Sequence, residues 1–215
     1  MNARDLADLP FAATLTPHRG GLAAEADYDG VHFDQLSFDR PRAPGSRFIE
    51  CAFTGVSFQG GQLPKAKFRD VWLRDVRLVA TGLAQTQWAD VTVAESVAAG
   101  AEVFGAELRR VTFRRCKLDS VSFRGAVLTE VTFDGCELRD VDFAGATLAR
   151  TAFPGSRLTR ADLTGVSLDA ADLRGAGLGV IIGPDSLRGA IVSTGQLVDL
   201  APVLAQTMGI TVSDD

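Results

Sequence analysis

Apolar residues, all but Ala43 and Ala98 of them large, recur at every fifth position from Tyr28 to Leu178, and the phase never slips. The 31 positions of this column include Phe33, Phe53, Phe113, Phe133 and Leu173, and all are apolar. A second column runs two residues earlier. It holds Ala or Val at 19 of its 31 positions and Cys, Ser or Thr at nine more. Residues 26–185 carry 21 acids and 19 bases, and none falls in either column. Charge excluded from two positions in five marks those two as inward-facing, because an unpaired ion in a dry interior is costly. Two inward residues at spacing two predict a very short strand followed by a turn. The last position of the unit is often glycine, as at Gly55, Gly125 and Gly165, which suits a corner with unusual dihedrals.

Segments such as Ala161-Asp-Leu-Thr-Gly165 and Ala171-Asp-Leu-Arg-Gly175 resemble the repeating unit of pentapeptide-repeat proteins. The resemblance runs from residue 26 to about 185 and implies four units per coil. It implies an all-β solenoid, a right-handed quadrilateral β-helix of about eight coils, with a short C-terminal α-helix. Positions 20 apart then stack, placing Phe33 under Phe53 and Tyr28 under Phe48. A left-handed hexapeptide helix would need period six.

Two places weaken the pattern. Ala43 is the central residue of a unit bracketed by Pro41 and Pro44, which predicts a distorted corner or a bulged loop. Around Ser96–Gly100 the inward residues are small, which predicts a narrow coil or a bend. Residues 1–25 lack the motif and are read as an irregular N-terminal cap, residues 26–185 as the repeat region, and 186–215 as an imperfect last coil plus helix. Ser193 or Thr194 is a candidate N-cap and Gly209 a stop, while Pro202 predicts a kink or a break. The tail resembles the ending of actinobacterial members of the family, the fluoroquinolone-resistance branch, in which the terminal helix carries a dimer. That resemblance implies a homodimer built on Leu197, Leu200, Leu204 and Met208. The alternative is a monomeric cap with the same stripe folded onto the last coil.

Composition changes the picture little. The chain has 215 residues, net charge −5 and 46% hydrophobic residues, as globular domains do. Asp5 and Asp8 stand where a signal peptide would be apolar, and three cysteines are too few for a disulfide framework. Both point to a cytoplasmic chain, and no membrane partner is expected. The mildly acidic balance argues against nucleic acid as a direct ligand.

No residue constellation calls for catalysis. His18 and His32 have no adjacent nucleophile, and Cys51, Cys116 and Cys136 all sit in the small inward column. No zinc spacing or phosphate loop is present, so neither a cofactor nor a metal is predicted. An enzyme is not expected. The family resemblance implies a DNA mimic that binds DNA gyrase or topoisomerase IV and shields it from poisons. A candidate partner-binding acidic wall comprises Glu130, Asp134, Glu137, Asp140, Asp142, Asp162 and Asp172. A secondary basic patch comprises Arg109, Arg110, Arg114, Arg115 and Lys117, which either meets an acidic partner or a nucleic-acid backbone, or pairs with acids one coil away. The alternative function is a general protein-interaction scaffold with another partner.

Overall fold

A computed structural model describes residues 5–179 and 181–211. Each five-residue unit forms one wall segment, with two side chains inward and a corner after them. The corner residue takes a left-handed backbone in unit after unit, whether glycine (Gly55, φ 61°) or not (Asp70, φ 53°; Arg110, φ 53°). Four such turns close a coil. Successive coils pair in parallel with a register of 20, as at Tyr28↔Phe48, Phe33↔Phe53 and Phe38↔Phe58.

We number the walls by their central residues: first (Tyr28 to Leu168), second (Phe33 to Leu173), third (Phe38 to Leu178) and fourth (Ala43 to Leu163). The first and third walls are ladders of short strands, eight deep on the third. In Gln87–Ala94 and Glu107–Arg114 one strand continues round the corner from the first wall to the second. The fourth wall pairs through single bridges at Arg42, Gln62, Gly82 and onward, each followed by a tight turn. Eight coils at ~4.8 Å make a rod about 38 Å long.

The interior is filled by stacked rings. Phe33 lies on Phe53 at 4.4 Å, Phe113 on Phe133 at 4.9 Å and Phe133 on Phe153 at 5.0 Å, with planes within 7° of parallel. A void of about 20 Å³ lies where the second- and third-wall ladders pass from Phe to Leu, at Leu73 and Leu78. Buried hydroxyls use the spare backbone groups. Ser156 donates to the Phe133 carbonyl at 2.7 Å and accepts from the Cys136 amide at 2.8 Å.

The structure corrects the sequence reading at one place and sharpens it at three. First, residues 41–45 form an ordinary fourth-wall segment rather than a bulge. Ala43 is fully buried, and Arg42 bridges Gln62. Position 41 contributes its carbonyl to the ladder, at 2.8 Å from the Gln62 amide, so a missing N–H there costs nothing. Second, of the two readings at Ser96–Gly100 the bend falls away: Val97–Ala99 pairs in register with the coils on both sides.

Third, the N-terminal segment does more than cap. His18 covers the open end of the core, its ring 4.7 Å from that of Phe33, and Thr16–Pro17 pairs with Val31 and His32. Residues 5–15 then run back along the outside of the second wall, where Leu9 and Phe11 bury Ala52 and Trp72. Fourth, the last coil is one residue short. Ala161 pairs with Ile181, 20 residues on, but Ala171 pairs with Ala190. The shortened path brings Gly189 (φ 89°) against the Leu168 carbonyl, where a β-carbon would lie 2.1 Å away.

The helix α1 (Thr194–Thr207) runs through Pro202 without a break. Ser193 caps it, reciprocally with Gln196. At the other end, Ile210 donates to the Ala205 carbonyl and Gly209 (φ 73°) to Gln206, the 6→1 and 5→2 pair of a Schellman stop. No helix among the described residues is long and apolar enough to cross a membrane. The first four residues of the N-terminal segment and the last four of the C-terminal one lie outside the described residues.

Candidate binding walls

The C-terminal helix divides the four residues expected at a dimer seam. Leu200 is buried and Leu204 half-buried against the last coil. Leu197 (51% exposed) and Met208 (76%) face outward with Val198 and Ile210. The helix also closes the rod. Gln196 Nε2 donates to the carbonyls of Leu173 (2.6 Å) and Ala176 (2.8 Å), the second of which stands where Ser156 accepts from Gly177 of the next coil. A cleft of about 410 Å³ runs between helix and last coil, lined by Leu178, Asp199, Leu200 and Val203.

The seven acids read as one wall do not share one. Asp134 and Asp172 lie on the second wall, Glu137 on the third, and Asp142 and Asp162 on the fourth; Glu130 and Asp140 occupy corners. The reason is the period. Acids close in sequence are carried round the coil, and only residues 20 apart are neighbours on a wall. Five of the seven are also partnered by bases. Glu130 pairs with Arg150, Glu137 with Lys117, Asp140 with Arg160, Asp142 with Arg124, and Asp172 with Arg174. The Asp162 carboxylate accepts from the Thr164 amide at 2.9 Å.

The basic residues spread likewise over three walls. Arg110 makes a two-pronged contact with Asp90 (2.6 and 2.5 Å), and Arg115 reaches Glu95 at 2.6 Å. Arg114 stands beside Asp134 in strand register, and Arg109 lines a first-wall groove of about 250 Å³ with Lys67, Arg69, Ala89 and Glu107. Seven of the twelve ion pairs among the described residues join positions 20 apart, so charge, like aromatic rings, is matched coil to coil. The arginine bond holds the Asp27, Asp90, Asp119 and Asp140 carboxyls below their ordinary range.

Sequence reasoning overlooked two features. One is a corner column, Glu50, Asp70 and Asp90, that puts three carboxylates in line on the edge between the first and second walls. Reading the corner positions at lag 20 finds it. The other is Trp72, an outward residue that is 1% exposed because the N-terminal arm covers it. A large aromatic in an outward column was the available signal.

The groups with chemical potential are occupied in packing. His32 Nε2 lies 3.0 Å from Thr54 Oγ1, and the three thiols are free and buried. Burial pushes the Cys51 thiol up to about 11, and the Cys136 thiol is raised by its bond to Cys116 and by burial. Those two thiols stay protonated near neutrality, while the hydrogen bond with Cys136 lowers the Cys116 thiol. Among the described residues no group of three or more potential ligands could hold a metal ion.

Residues 106–179 match the family model described as "Pentapeptide repeat region". That stretch is a pentapeptide-repeat region, and the coils before it continue its period. A comparison with the curated proteins finds no match. Similar solved structures include HetL, a pentapeptide repeat protein involved in heterocyst differentiation regulation from the cyanobacterium Nostoc sp. Strain PCC 7120. It is 19% identical, with 82% of this chain and 93% of that chain covered and a TM-score of 0.35. QnrB1, a plasmid-mediated fluoroquinolone resistance protein, is 16% identical, with 86% and 100% covered and a TM-score of 0.36. A pentapeptide repeat protein from the Arabidopsis thaliana thylakoid lumen is 14% identical, with 54% and 72% covered and a TM-score of 0.40.

Proposed function

We propose that this pentapeptide-repeat solenoid is a non-catalytic binding rod that engages a protein partner in the cytoplasm through its outer walls. The observation that carries the reading is the filled interior. The inward side chains stack coil on coil in one buried cluster from Tyr28 to Ala176, so recognition belongs to the surface. Many of its charges, on all four walls, are matched within the rod, as at Asp90 with Arg110 and Asp119 with Arg139, which suits an interaction scaffold. The scaffold reading is tested by quantitative cross-linking of the purified chain to candidate partners, with charge reversals placed wall by wall. Loss of capture confined to one wall supports it, and equal loss from all walls counts against it.

A narrower reading has one feature in its favour, the carboxylate column Glu50, Asp70 and Asp90 along one edge. On that reading the rod presents DNA-like negative charge to DNA gyrase or topoisomerase IV, and two copies join through Leu197 and Met208 of the terminal helix to lengthen the surface. A gyrase supercoiling assay with and without ciprofloxacin decides it. Inhibition or protection that is lost in the triple variant Glu50→Lys, Asp70→Lys, Asp90→Lys supports the topoisomerase reading. No effect of the unmodified chain at micromolar levels removes it for that enzyme.

A further inference from the structure

The second wall beneath the N-terminal arm is unlike the other outward surfaces. Of its outward residues in coils two to four, Ala52, Trp72, Thr92 and Ala94 are uncharged and buried, and Thr54 and Arg74 are half-buried. Leu9 (4% exposed) and Phe11 (5%) cover Ala52 and Trp72. Asp5 pairs with Arg74, which also holds Glu95 at 3.0 Å. The arm thus presents three anchors in a short span: a carboxylate, a leucine four residues on, and an aromatic ring six residues on.

What holds the arm is side chains. Its backbone bonds between residues 5 and 14 are internal turns, such as Leu9 to Leu6 and Ala12 to Leu9. Strand pairing with the rod begins only at Thr16–Pro17. The buried Trp72 Nε1 has no hydrogen-bond partner among the described residues, a bond that a better-matched occupant would make. Gly20 and Gly21 follow the arm, and the space at Gly21 is open. A surface that is apolar, carries a cation at its edge and is covered by a segment without a backbone ladder has the form of a peptide site already filled.

We propose that the second wall between coils two and four is a peptide-docking groove and that residues 5–15 are its resident, displaceable occupant. The partner is a protein segment of the same chemistry: a carboxylate for Arg74, then a leucine and an aromatic side chain, with an acceptor for the Trp72 indole. The inference rests on the reading of the chain as a binding rod and assigns it a wall and a ligand class. Its failure would leave the other walls, and the topoisomerase assay, untouched.

The test uses the full chain in a Trp88→Phe background, which leaves Trp72 as reporter. The double variant Leu9→Asp, Phe11→Asp releases the arm, and a labelled synthetic peptide of residues 5–17 is the probe. The released chain keeps cooperative unfolding, its Trp72 emission moves to the red, and it binds the peptide at least about tenfold tighter than the unreleased chain does. Adding Arg74→Ala weakens that binding. Equal or no binding to the two chains overturns the proposal, as does loss of cooperative unfolding in the double variant, since the arm would then be part of the solenoid's fold. Hydrogen exchange on the unmodified chain is the second measure. The Leu9, Ala12 and Thr14 amides exchange about a hundredfold or more faster than core-ladder amides such as Phe133. Equal rates overturn the proposal.

Discussion

Gly61 stacks on Pro41 one coil below, and a β-carbon at Gly61 would stand 2.4 Å from Pro41 Cδ. The proline ring occupies the volume that Ala or Val fills elsewhere in the small inward column, and the glycine yields it room. Gly61→Ala therefore destabilises by about 2 kcal/mol, from overpacking and from the left-handed backbone at φ 90°. Pro41→Ala restores part of the loss. Urea denaturation of the single and double variants gives the coupling directly.

Ala80 is a corner residue with φ 47°, an exposed side chain and no glycine's freedom. A left-handed backbone costs an L-residue energy that glycine escapes. Ala80→Gly is expected to stabilise by about 1 kcal/mol, against the usual cost of glycine in regular structure. Thermal melting of this one variant checks it, and a lower Tm would contradict the corner argument.

The carboxyls of Asp27, Asp90, Asp119 and Asp140 are held low chiefly by hydrogen bonds from Arg47, Arg110, Arg139 and Arg160, one coil on. A depressed carboxyl stabilises the fold above its ordinary value, and that contribution is lost as pH falls through the folded value. The urea midpoint is accordingly flat near neutrality and declines below about pH 4. Replacing the four aspartates by asparagine flattens the decline, and added salt weakens it because the pairs are exposed.

The terminal helix has a packing face and an open face. Leu200→Ala removes a buried side chain at the end of the rod and costs about 2 kcal/mol in urea denaturation. The pair Leu197→Ser and Met208→Ser leaves that midpoint unchanged, since both side chains are exposed. If the helix joins two copies, light scattering shows a dimer for the unmodified chain and a monomer for the Ser pair. A monomer in both cases leaves the helix as a cap alone.

The coils and core were legible because the inward columns repeat through the linear chain. Phe33, Phe53 and Leu73 announce their stack by spacing alone. The walls were harder to read. Glu130, Asp134 and Glu137 look like a cluster in sequence, yet each faces a different way, and only pairing at lag 20 shows Glu130 beside Arg150. The apparent defect at Pro41 was harmless because that position contributes only its carbonyl to the ladder. The arm escaped because Leu9 and Phe11 carry no period of five; their destination was marked on the wall, by Trp72 in a column otherwise polar or small.

The register of 20 gives the chain something like a reading frame. Inserting one five-residue unit would keep every inward side chain inward and leave the core intact. It would also turn everything downstream by a quarter revolution. Placed between Asp90 and Arg110 it would part that ion pair; placed between Phe53 and Leu73 it would break that stack. Length variation that preserves a surface must therefore come in whole coils, while shorter insertions would produce folded rods with rotated faces. The one-residue shortfall before α1 falls after the last complete coil, where no later face remains to be turned.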